Sequence, residues 1–162
     1  MTADSRFALE SASIATVIAL PVAIGFAIAS DGDVLDWNMT WAGLVLAAAV
    51  AAACAARLST RRDLGTSPRA RPLVMALRVV AVAYLLFLGM ALVLAVLDQS
   101  LQGSLPAAGL RVVAPRPDNV GFVMAYVGVV SLGVGLVPAL LLEYVACRRY
   151  LQRPAGPAAS RA

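Results

Sequence analysis

The chain contains no histidine and no lysine, and charged residues of every kind make up only 14% of it. Without imidazole it lacks the axial ligand of b-type haem, the commonest ligand of catalytic zinc and the side chain that shuttles protons near neutral pH. A haem-and-quinone subunit is therefore not expected. Its two cysteines, Cys54 and Cys147, lie far apart with no C-x-x-C spacing, which argues against a zinc knuckle or a redox pair. Ionisable residues are also missing from the centres of the long apolar runs. That weighs against a proton-coupled carrier, which needs a titrating carboxylate at membrane depth. The same runs hold no carboxylate pair and no Ser or Cys beside a base, so the chain reads as a non-enzyme with no cofactor and no metal.

What is present is apolar surface, at 61% hydrophobic residues and a mean hydropathy of +0.85. A soluble fold of 162 residues could not bury that much. Four uncharged runs stand out: 11–30, 39–56, 79–97 with an extension back to Leu73, and 119–142. Each is long enough for a hydrocarbon core of about 30 Å at about 1.5 Å of helical rise per residue. The expected fold is all-α: an integral membrane bundle of four transmembrane helices, up-and-down, within a domain covering residues 1–153. Its spans are placed at about 11–30, 39–58, 73–97 and 119–147. The second, rich in Ala, is the least hydrophobic and is expected to lean on its neighbours. Segment 154–162 is too poor in large apolar residues to fold and is expected to be a disordered tail.

Arginine sets the orientation. The linker from Arg57 to Pro72 carries Arg57, Arg61, Arg62, Arg69 and Arg71, and the tail carries Arg148, Arg149, Arg153 and Arg161, whereas residues 31–38 carry none. The positive-inside rule puts linker, N-terminus and C-terminus in the cytoplasm. Trp37 and Trp41 at the outer start of the second span, and Tyr144 and Tyr150 at the inner end of the fourth, mark the same two interfaces. A net charge of +4 explained by residues beside the spans requires no nucleic-acid partner. The lipid bilayer is the expected partner. Exclusive use of Arg, with abundant Ala, Val, Leu and Gly, suggests a GC-rich prokaryotic genome and hence a cell membrane. Ala27-Ile28-Ala29 fits a signal-peptidase site, but the apolar run before it is long, contains Pro21 and follows an acidic N-terminus, so the first span is expected to be retained.

Few motifs carry chemistry. Asp31-Gly32-Asp33 with Asp36 begins like a calcium loop, but Leu35 stands where a ligand belongs and no Glu closes the loop. An acidic turn is the expected reading. The polar connection from Asp98 to Asn119 contains Leu110-Arg111-Val112-Val113, which suits a surface segment or a short strand. Arg78 and Glu143 are the charges nearest a span interior and are candidates for an ion pair at the inner interface. Pro21 and Pro138, with Thr16, Tyr84 and Ser131 at mid-depth, offer the polar groups and kinks of a pocket.

The clearest pattern lies in the fourth span. Gly121, Ala125, Gly128, Ser131, Gly135 and Ala139 recur at steps that keep to one face of a straight helix. Such a face lets another backbone come close, which replaces the hydrophobic drive that is weak between helices in lipid. Ala15, Ala19, Ala23 and Ala27 form a similar stripe on the first span. The expected function is that of a non-enzymatic accessory or structural subunit acting through helix packing, within the monomer, with itself or with another membrane subunit. The alternative is a channel or facilitator for a small uncharged solute.

Overall fold

A computed structural model describes residues 2–31, 39–60, 71–102 and 117–152. Helix α1 (Ala3–Asp31) opens on a capped turn. The Ser5 N–H donates to Thr2 Oγ1 at 3.3 Å and the Arg6 N–H to the Thr2 carbonyl at 3.1 Å. Asp4 in the first turn complements the positive end of the helix dipole. Helices α2 (Met39–Thr60) and α3 (Arg71–Gln102) follow. The described part of α3 begins at Arg71, with Pro72 accepted in the first turn because no intrahelical N–H is needed there. The fourth span joins α4 (Pro117–Val130), a π turn (Ser131–Gly135) and α5 (Leu136–Gln152).

These helices outrun the apolar runs at several ends, most at the finish of α5. Hydropathy marks the stretch that suits hydrocarbon, whereas caps and prolines decide where a helix stops. The 29 residues of α1 span about 44 Å, so at least one end must stand beyond the hydrocarbon.

Neighbours in sequence are neighbours in space. α1 packs on α2, α2 on α3, α3 on α4 and α5, and α5 back on α1. Among the described residues the diagonal pairs do not touch. The Tyr150 hydroxyl donates to Asp4 Oδ1 at 2.7 Å, and the rings of Phe7 and Tyr150 lie 4.9 Å apart. The start of α1 and the finish of α5 therefore share one end of the bundle, here termed the terminal end. A core of Phe7, Ala55, Met75, Val79, Ala146 and Cys147 closes that end, with all four spans contributing.

The chain has four helices long and apolar enough to cross a membrane, and the described residues contain no strand. Large apolar side chains cover the outside: Leu85 and Val129 are each 70% exposed, and Leu46 and Val17 each 65%. An apolar surface of that extent belongs in lipid. α2 has the lowest hydropathy of the four spans, 1.8, and the largest buried share, 33% of its most apolar window. The span least suited to lipid is thus the one its neighbours cover most. The loop with Asp33 and Asp36, the Leu110–Val113 segment, the linker 61–70 and the tail after Gln152 lie outside the described residues.

Candidate functional site: a cavity beside the fourth span

Pro138 lacks the N–H that would bond to Val134, and in a regular α-helix its ring would press on that carbonyl. The π turn Ser131–Gly135 lies just before it, and the wider turn gives the backbone room. One inserted residue rotates everything downstream by about 100° relative to a straight helix. The small residues beyond the π turn are thereby turned relative to those before it.

Gly128 faces α3, where a Cβ would lie 3.8 Å from the Tyr84 hydroxyl and 4.0 Å from Leu88 Cδ2. Tyr84 donates its O–H to the Gly128 carbonyl at 2.6 Å, and Ser131 Oγ lies 3.1 Å from the Tyr84 hydroxyl and 3.2 Å from the same carbonyl. Gly135 is buried and faces α1, where a Cβ would lie 3.5 Å from Ile18 Cγ2. Ala139 is half-buried. Gly121 and Ala125 are exposed, with open space where a Cβ on Gly121 would sit.

Among the described residues α1 meets the fourth span at the π turn and α5, and no close backbone contact closes the seam between α1 and α4. Between the four spans lies a half-open cavity of about 170 Å³. Its walls are apolar and include Ala15, Ala19 and Ala23 of the first-span stripe, with Ala48 and Ala52 opposite on α2. The side chain of Ala27 lies outside the described residues. Four polar side chains line the space: Tyr84 and Ser131, which bond to each other, and Ser11 and Glu143.

Ser11 is fully buried and Glu143 is 3% exposed. Ser11 stands beside the Glu143 carboxyl and interacts with it without a well-formed hydrogen bond, and Glu143 Oε2 has no partner. Glu143 stands one helical turn from Cys147, at the edge of the terminal core, and so forms the cavity floor. Among the described residues Arg78 forms no ion pair with Glu143. Met75, Ala76, Val79 and Val80 hold the buried face of α3, and Arg78 lies to the side of it, outside the cavity lining. No family model, curated protein or solved structure matches this chain.

Two features of this geometry went unread in the sequence. Ser11 opens the first apolar run, and nothing in its sequence neighbours points to a buried hydroxyl beside a carboxyl. The tightest glycine approach is at Gly43, where a Cβ would lie 3.3 Å from Leu94 Cδ1. Gly43 stands alone in an Ala-rich run and forms no stripe with other glycines, so spacing gave it no weight.

Proposed function

We propose that this is a small, non-enzymatic multi-pass protein of a prokaryotic cell membrane, with both termini in the cytoplasm, that works by packing against another membrane helix. The observation in support is the half of the fourth span that its own bundle leaves uncovered. Among the described residues α4 packs on no other span than α3, and Gly121 and Ala125 are exposed. Small residues on a lipid-facing helix let a partner backbone approach closely, in a second copy or another subunit.

Cross-linking in native membranes followed by sizing in mild detergent tests this. Gly121→Leu with Ala125→Leu is expected to remove the larger species while leaving the melting temperature of the monomer unchanged, because both positions are exposed and a Cβ on Gly121 would meet open space. An assembly of unaltered size would end the proposal. The orientation has its own test. In a background lacking Cys54 and Cys147, Gly32→Cys and Gly109→Cys are expected to react with an impermeant thiol reagent applied to intact cells, and Thr66→Cys is not. Labelling at position 66 would invert every side assignment.

The cavity favours a second reading, a facilitator for a small uncharged solute. Its floor is closed by Glu143 and the terminal core, so a continuous path requires that core to part. Solute flux into proteoliposomes above the protein-free rate distinguishes it from the first reading.

A further inference from the structure

Among the described residues three buried side-chain atoms have no well-formed hydrogen bond: Ser11 Oγ, Ser59 Oγ and Glu143 Oε2. Two of them line one cavity and face each other across the seam between α1 and α5. Buried polar atoms are nearly always satisfied by protein or by a bound molecule, and a carboxyl is the costliest to leave unmet. The rest of the lining gives the missing partner its shape. Apart from the mutually bonded Tyr84 and Ser131, the walls are aliphatic and aromatic carbon.

We propose that the cavity is a binding site for a small lipophilic amine, whose ammonium group meets Glu143 and Ser11 at the floor and whose apolar body fills the space toward the π turn. An ammonium supplies both things that a carboxyl lacks in a low-dielectric pocket, a positive charge and several N–H donors. No basic side chain lines the cavity to compete for that place, and the charge that bears on Glu143 from α1 is that of Glu10, which is of the same sign. Ser11 Oγ can accept one of the N–H bonds. The volume, about 170 Å³, limits the body to a single ring or a short chain, since cavities of about 150 Å³ hold a benzene-sized guest. The cavity is half-open, and among the described residues α1 and α4 make no close backbone contact, which leaves that side for the entry of a membrane-dissolved molecule.

Benzylamine titrated into the full-length protein in nanodiscs, read by saturation-transfer NMR and thermal shift, is the direct test. Toluene and benzyl alcohol serve as probes without the charge, and protein-free nanodiscs correct for partitioning into lipid. Saturable binding of benzylamine is expected, weakened about ten- to a hundredfold in Glu143→Gln and by a similar factor for toluene and benzyl alcohol. Equal binding to wild type and Glu143→Gln overturns the proposal. So does toluene matching benzylamine, which would make the cavity a slot for an acyl chain. Should Glu143→Gln fail to fold, a diazirine-bearing benzylamine on the wild type decides. Adducts on the cavity-lining stretches of α1 and of the fourth span, displaced by benzylamine but not by toluene, support the site. Scattered adducts, or adducts displaced equally by toluene, refute it.

Discussion

Ala55→Leu is expected to lower the melting temperature of the detergent-solubilised protein by the equivalent of about 3 kcal/mol, while the chain still inserts. Ala55 is fully buried, within the cluster of Phe7, Ala56, Met75, Val79, Ala146 and Cys147 where all four spans converge. A methyl group there sets how closely α2 approaches the other helices. An isobutyl group must either push α2 outward or drive its neighbours from their rotamers, and both forfeit dispersion contacts that lipid does not restore. Insertion survives because Leu is more apolar than Ala and lipid accepts the displaced helix. Val50→Leu is the control, since Val50 on the same helix is 42% exposed and an added methylene there extends into lipid. If the two variants melt together, α2 is not held at the core by its small side chains, and the described packing of the terminal end is wrong.

The same helix shows what the sequence could and could not tell. Its membrane character was legible in the uncharged run, and its dependence on neighbours in its low hydropathy. The face it buries was harder to see, because Ala fills nearly every position from Ala47 to Ala56 and offers no contrast. The signal lay in the larger residues. Leu46, Val50, Cys54 and Leu58 recur every fourth position and are all exposed, leaving Ala47, Ala51 and Ala55 to the core. In lipid the large side chains can face outward at no cost, so a stripe of bulk marks the outside as surely as a stripe of small residues marks the inside.

The cavity was illegible for a different reason. Spacing arguments assume an unbroken period of 3.6, and the π turn breaks it within the very stripe being read. Pro138 was visible, with Gly133 and Gly135 beside it, but a proline alone does not reveal whether the helix kinks, opens or inserts a residue. Once the phase shifts, Gly135 and Gly128 address different helices, and Glu143 stands beside Ser11 rather than Arg78. An ion pair inferred from depth in the membrane could not anticipate that rotation.

Gly128→Leu tests where the fourth span meets α3, and it is expected to cost about 2 kcal/mol of stability, whereas Gly128→Ala should be neutral. The distinction comes from the space available. A Cβ at Gly128 would stand 3.8 Å from the Tyr84 hydroxyl and 4.0 Å from Leu88, ordinary contact distances that a methyl group fills without displacing either. Ala also favours the helix over Gly. The rest of a Leu side chain has to enter the space that Tyr84 and Leu88 already occupy. Tyr84 must then swing away and release the Gly128 carbonyl it bonds at 2.6 Å, together with its contact to Ser131. Tyr84→Phe isolates the hydrogen-bond share, expected at about 0.6–1.7 kcal/mol, the range found for such bonds between membrane helices. Val129→Leu is the control because Val129 is 70% exposed, whereas Val127 lines the cavity and would confound packing with filling. Melting curves for the four variants should rank Val129→Leu and Gly128→Ala with the wild type, Tyr84→Phe below them and Gly128→Leu lowest. If Gly128→Leu melts with Val129→Leu, Gly128 faces lipid. The fourth span would then be turned away from α3, and with it the seam and the cavity that depend on that docking would be lost.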